Sequence, residues 1–441
     1  MTTWARLLLL LLPACQYGEY CEGDRAAVPA EAKPSSRHAR VVAQVLPVES
    51  KAVDILFVID DSGSMKDQQE QLGIWSKEMF DVLSGSGELP DLHVGVTSSS
   101  VAIPGLTGCS VGYGGSLYKG LAEMEGQYLT DLAGPEGRVT NYQGTLTETF
   151  AKMARVGDGG CGFEQPFKAA RMALSTPGFL RDEALLLVVF VTDEDDCSSS
   201  DGTLFGDVSA DACSELGPIT SYRCFEHGVT CADGKGSREL GERENCRPDE
   251  TSPYVESVAR YAQYLKKLKQ QPAQTIIAGI YGKPNGVFAI PDEKVERLAG
   301  YQSPRLADVC GGMGVEGTGA TPAIRMNALL AEFGGRASQS SICERELSWA
   351  MRDVGLVARR AATRSRCLRG ALVDVDATLP GIQPTCRVEA TTNTGTSREV
   401  RRDVPFTLEL DTACETQLAV RATTVAGETL TVTCDVDDGT R

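Results

Sequence analysis

An α/β fold, doubly wound around a mostly parallel sheet with helices on both faces, follows from three observations in the sequence. Two unbroken apolar runs, residues 53–59 and 184–191, are rich in Val, Ile, Leu and Phe, as strands buried on both faces are. Stretches of helical periodicity separate these runs from each other and from a further strand at 274–281, the alternation that produces a parallel sheet. Both runs end abruptly in carboxylate and hydroxyl side chains, Asp60, Ser62 and Ser64 after the first and Thr192 and Asp193 after the second. The carboxyl ends of parallel strands are where open sheets of this kind place their ligand sites.

The chain begins with Arg6, leucines from position 7 to 12, and then Pro13, Ala14 and Cys15. A charged, an apolar and a small-residue region in that order read as an export signal, and the apolar part is too short to span a bilayer. Leu12, Ala14 and Cys15 fit a bacterial lipobox, with Pro13 at an unusual place, so Cys15 is the expected lipidation site. An ordinary cleaved signal is the alternative. The expected location is the cell envelope, with a lipid anchor in the outer membrane. Cysteine usage agrees with export. Of 15 cysteines, a lipidated Cys15 leaves an even number for disulfides, as an oxidising compartment favours. No Cys-x-x-Cys or His pair offers a zinc site. The net charge of −17 repels phosphate backbones and argues against nucleic acid.

Residues 16–48 contain Pro29, Pro34 and Pro47 with little periodicity, and are expected to be a flexible tether. The main domain is expected over 49–362. Leu72, Trp75, Met79 and Val82 mark its first helix, stopped by Ser84, Gly85, Ser86 and Gly87, and residues 92–97 its second strand. Strand, helix and strand at this spacing make a right-handed unit. Residues 103–141 read as an irregular excursion, followed by helices at 146–155 and from Glu164. Residues 197–250 read as a disulfide-stapled insertion, and helices follow at 254–268, 325–333 and 345–360. Cys310 and Cys343 flank one helix as a plausible pair. Cys161 is expected to pair with Cys109 or with a cysteine of the insertion. Residues 363–441 are Thr- and Val-rich with period-two alternation near Leu430, which reads as a small β appendage. Its Cys367, Cys386, Cys414 and Cys434 allow three connectivities.

The two strand ends face one site if their strands are parallel neighbours. At this point the sequence resembles the von Willebrand factor type A family, over about residues 50–362 outside the insertion. Asp60, Ser62 and Ser64 match its Asp-x-Ser-x-Ser, and Thr192 with Asp193 match the later Thr-Asp. The resemblance implies a metal-ion-dependent adhesion site. Ser62 and Ser64 would be direct ligands, and Asp60 and Asp193 would bind directly or through water. Oxygen ligands alone favour Mg²⁺ or Ca²⁺, and a lightly charged coordination shell leaves the cation seeking an acidic side chain on a protein partner. The family usually adds a Thr from a Gly-rich loop between the motifs. The corresponding loop, 157–164, has no Thr or Ser; Asp158 or Glu164 is expected in that place, unless Glu164 is only a first-turn helix residue favoured by the helix dipole. Glu194, Asp195 and Asp196 extend the acidic edge and offer a possible second cation site or a solvated loop tip.

The expected function is therefore a membrane-tethered, extracytoplasmic binding module that uses a divalent cation. A structural envelope protein with a degenerate metal site is the alternative. A metal-assisted hydrolase ranks below both, because the sequence offers no Gly-x-Ser-x-Gly elbow, His pair or phosphate loop.

Overall fold

A computed structural model describes residues 52–364, apart from 86–88, 111–112, 118–120, 212, 234–237, 270–273, 293–302 and 311–318, together with 40–46, 372, 385–392, 397–400, 406–410, 418–422 and 428–436. The central sheet has seven strands: β1 (Ala52–Ile59), β2 (Asp91–Ser98), β3 (Leu129–Gly134), β4 (Gly137–Thr140), β5 (Leu185–Val191), β6 (Thr275–Tyr281) and β7 (Ala337–Ser341). Their order is β7-β6-β5-β1-β2-β3-β4. The pairs from β7 through β2 are parallel, and β3 and β4 add antiparallel partners at one edge.

Seven helices accompany the sheet among the described residues: α1 (Lys66–Ser84), α2 (Leu146–Met153), α3 (Pro166–Leu174), α4 (Tyr222–Gly228), α5 (Val258–Lys267), α6 (Ile324–Ala331) and α7 (Ser348–Arg364). Successive strand side chains point to opposite faces, and β1 divides accordingly. Ile55, Phe57 and Ile59 pack with Leu72 and Met79 of α1, Phe150 of α2 and Met351 of α7. Leu56 and Val58 pack with Phe167 of α3, Tyr261 of α5 and Met326 of α6. Both faces are covered, so every residue of β1 and β5 is buried. This explains why neither run shows polar alternation. Local signals fix the helix starts: Thr145 and Glu148 form a capping box on α2, Pro166 opens α3, and the Ser257 hydroxyl accepts from the Arg260 amide at α5.

The amino end of the sheet is locked by a buried charge cluster. Asp54 of β1 is fully buried and accepts from Arg181 Nε at 2.8 Å, from the Arg181 amide at 2.7 Å and from Lys269 Nζ at 3.2 Å. Burial holds the Lys269 ammonium below its ordinary pKa, an effect that Asp54 opposes.

Three sequence expectations change. The excursion at 103–141 contains the β3–β4 hairpin, an edge element whose exposed half hides its alternation; the Tyr142 hydroxyl and Arg138 both bond to Asp131 and hold it. The expected tether contains a strand, Arg40–Leu46, paired antiparallel with Glu428–Val436. Its Val-rich sequence needed a partner from the far end of the chain to become a strand. The third helix begins at Pro166, so Glu164 precedes it.

The appendage is a β sheet of the order Arg40–Leu46, Glu428–Val436, Cys386–Thr392 and Ser397–Val400, stapled by Cys386–Cys434. Within the insertion, Cys197–Cys224 and Cys231–Cys246 are local bridges. Cys109–Cys161 and Cys310–Cys343 also form. Cys213 is exposed and unpaired among the described residues, while Cys15, Cys21, Cys367 and Cys414 lie outside them.

Candidate metal centre

The sheet order reverses between β1 and β5. From β1 the chain winds outward through β2, then returns to lay β5 on the other side of β1, which makes this seam a topological switch point. Ile59 is level with Val191, and the Asp60 amide donates to the Val191 carbonyl at 2.9 Å. The two oxygen-rich ends are thus side by side because their strands are in register.

Asp60 is fully buried. Its Oδ1 accepts from the Ser62 amide at 2.8 Å, and its Oδ2 from the Thr192 hydroxyl at 2.7 Å, a bond that ties the two strand ends together. The Ser62 and Ser64 hydroxyl oxygens lie 3.1 Å apart, and the Ser64 side chain lies close enough to Asp193 to lower its pKa against the effect of burial. The chain Asp60–Ser62–Ser64–Asp193 therefore closes around one point. The Asp193 carbonyl is fixed by the Thr321 amide at 2.8 Å.

Electrostatics set this cluster apart. Burial, reinforced by the Asp193 charge, pushes the Asp60 carboxyl up to about 7, and burial raises Asp193 to about 6. Glu164 is buried as well, and its pKa is raised well above the ordinary value by desolvation, Glu194 and Asp60. Among the described residues no Lys, Arg or His pairs with any of the three. Asp193 Oδ1 and Glu164 Oε1 are buried without a hydrogen-bond partner. Buried carboxylates without a compensating charge are costly; protonation relieves that cost, and a bound cation would do so while occupying the lone pairs.

Among the described residues no three His, Cys, Asp or Glu side chains converge to hold a metal by themselves. An ion here needs the serine hydroxyls as ligands, a donor set of oxygens that fits Mg²⁺ or Ca²⁺.

The two loop candidates part company. Glu164 is buried beside Asp60, its carbonyl taking the Cys197 amide at 2.8 Å. Asp158 is exposed, and its carbonyl oxygen stands 3.6 Å from where a Cβ on Gly63 would lie. The rest of the acidic run has another task. Asp195 accepts from the Arg325 and Met326 amides at the start of α6, and Asp196 accepts from the fully buried Arg325 guanidinium at 2.9 Å. These carboxylates anchor the Asp193 loop to α6, so they are spent on structure and do not form a second cation site.

Sequence reasoning passed over four supporting residues. Asp61 accepts from the Ser100 hydroxyl at 2.6 Å, and that hydroxyl takes the Cys161 amide at 2.7 Å. Gln69 donates to both the Asp60 and Gly157 carbonyls. Gly160 must be small, because a side chain there would meet Asp61 at 2.5 Å. The run Ser98-Ser99-Ser100 at the carboxyl end of β2 was the available signal.

No protein-family model matches the chain, and no curated protein sequence matches it. Solved structures similar to it include the pilus adhesin SpaC from Lactobacillus rhamnosus GG, at 11% identity over 91% of this chain and 41% of that one, with a TM-score of 0.32. A von Willebrand factor type A protein from Catenulispora acidiphila aligns at 9% identity over 92% of this chain and 68% of that one, TM-score 0.28. The type V pili tip protein Mfa5 from Porphyromonas gingivalis, represented by three N-terminal domains, aligns at 12% identity over 93% and 66%, TM-score 0.27. The chain spans less than half the length of the SpaC structure. Superpositions this loose say nothing of function.

Proposed function

We propose that this chain is an extracytoplasmic binding module that holds one divalent cation through Asp60, Ser62, Ser64 and Asp193. With that cation it engages an acidic side chain of a protein partner. The observation that carries the reading is the buried acidic cluster at the switch point, uncompensated by any basic side chain among the described residues and open to two serine hydroxyls. Glu164 completes the acidic surround, which favours the larger, carboxylate-rich coordination of Ca²⁺ over that of Mg²⁺. Thr192 orients Asp60, and Asp61, Ser100 and Gln69 hold the three loops in place.

The site binds without catalysing. In this reading the two serine hydroxyls beside the carboxylates serve the cation as ligands. Membrane tethering rests on the lipobox-like residues up to Cys15, which lie outside the described residues. Disulfides on both sides of the cluster suit an exported protein.

Calorimetric titration with Ca²⁺ and Mg²⁺ tests the reading. The wild type should bind one ion, while Ser62→Ala and Asp193→Asn should bind at least about tenfold more weakly, with unchanged circular dichroism. Equal binding by all three would refute it. Loss of radiolabelled palmitate from Cys15→Ser in cells tests the anchor separately.

A further inference from the structure

At the carboxyl edge of β6, a cleft of about 410 Å³ opens between the cysteine-rich insertion and the first turn of α6. One wall is the segment carrying Arg243, Asn245 and Arg247, the other is the turn after β6 with Asn285, and Asn327 and Ile324 of α6 complete the lining. Among the described residues no acidic and no aromatic side chain lines it. Two guanidiniums and three carboxamides gathered this way run against a chain of net charge −17.

The wall carrying Arg247 is built to keep its shape. The Cys231–Cys246 bridge and the pairing of Val229–Thr230 with Arg247–Pro248 brace it from both sides. Arg243 is oriented by Asp233 at 3.4 Å and by the Glu239 carbonyl. Arg247 is exposed at the mouth. The cleft is also joined to the metal centre. The Thr321 amide holds the Asp193 carbonyl, the Ala323 amide holds the Gly282 carbonyl, and Ile324 then enters the lining. Pro322 and Ala323 alone separate the residue bonded to Asp193 from the residue facing the cleft.

We propose that this cleft is a second binding site, for an acidic peptide segment. The planar, exposed guanidinium of Arg247 matches a carboxylate, while Arg243 is buried, ion-paired with Asp233, and shapes the wall behind it. The carboxamides of Asn245 and Asn285 can each both donate and accept, as a peptide backbone demands, and Asn327, whose Oδ1 already accepts from Tyr281 and Gln339, keeps its amide nitrogen to donate. An acidic sugar fits less well, since no aromatic face is present for its ring to stack on. The cleft needs no cation, so its test is independent of the metal reading.

The test is fluorescence anisotropy of fluorescein-labelled hexaglutamate at low salt in excess EDTA. The wild type should bind, and added salt should weaken the binding. Arg247→Glu and Asn285→Asp, both at exposed positions, should each raise Kd by about tenfold or more while circular dichroism stays unchanged. Hexaglutamine should not bind. Ser62→Ala should keep the EDTA-resistant binding whole even where it abolishes any gain on adding Ca²⁺, so the two sites fail separately. Equal EDTA-resistant binding by the wild type and Arg247→Glu would overturn the proposal. So would binding of trigalacturonate with none of hexaglutamate.

Discussion

Replacing Asp60 by asparagine separates the cost of the acidic cluster from its use. In the wild type without a cation, burial and the Asp193 charge carry the Asp60 carboxyl from an ordinary 3.8 to about 7. The folded state therefore holds this proton more tightly than the unfolded chain does. The stability that follows is fully present below pH 3.8 and is lost as the pH rises through 7. At about 1.36 kcal/mol per pKa unit, ionisation at pH 8 costs the folded domain on the order of 4 kcal/mol, an upper bound because Asp193 shares the interaction. Asparagine removes the charge and keeps the contacts. Its Oδ1 still accepts from the Ser62 amide, and its Nδ2 donates to the Thr192 hydroxyl, whose single proton turns from position 60 to the Glu194 carbonyl 3.1 Å away. In EDTA at pH 8, Asp60→Asn should raise Tm by several degrees, at roughly 2–4 °C per kcal/mol for a domain of this class. In the presence of Ca²⁺ the order should invert. A ligand at a hundred times its Kd adds about 2.7 kcal/mol to the wild type, and the variant gains almost none of it. Scanning calorimetry at pH 5 and pH 8, with EDTA or Ca²⁺, supplies the comparison. A variant that melts below the wild type in EDTA, or that gains as much from Ca²⁺, refutes the account.

Four other variants probe distinct parts of the molecule. Glu164→Gln should weaken Ca²⁺ binding more than Mg²⁺ binding, whereas Asp158→Ala should leave both within error by calorimetry, because only Glu164 is buried beside Asp60. Removing Cys109–Cys161, which closes a separation of 52 residues, by Cys→Ser at both positions should cost about 3–4 kcal/mol in urea unfolding. It should also weaken the cation, since the Cys161 amide holds Ser100 and, through it, Asp61. Asp54→Asn should strand Arg181 and Lys269 as buried cations and cost about 3–5 kcal/mol in urea unfolding, with cation affinity unchanged, because Asp54 lies at the opposite end of β1 from Asp60.

The sequence displayed the core strands and the motif residues because both are local: seven apolar residues of β5 in a row, and three oxygens spaced by two. What it concealed depends on partners far along the chain. Asp195 and Asp196 looked like a solvated acidic tip or a spare ion site, since nothing nearby reveals that Arg325, 129 positions beyond Asp196, fills the space between them and α6. The strand Arg40–Leu46 was unreadable for the same reason, its mate being Glu428–Val436. Asp61 hid in plain sight between two motif residues, its role visible only once β2 brought Ser100 alongside. The β3–β4 hairpin escaped because β4 is wholly exposed, leaving no apolar face to betray its period.

The position of Asp60 at the end of β1 bears on how the molecule would carry a mechanical load. Tension between the segment before Arg40 and a partner held at Asp60 runs along β1 itself, from its amino end to its carboxyl end. The share of a load that entered through Asp193 would cross from β5 to β1 through the parallel hydrogen bonds between those strands, in shear, so many bonds would resist together. Ahead of β1, the antiparallel pairing of Arg40–Leu46 with Glu428–Val436 lies on the same line of force. The Cys386–Cys434 bridge fastens that second strand to its other neighbour, so the sheet on which Arg40–Leu46 lies is itself covalently stapled beside the loaded strand.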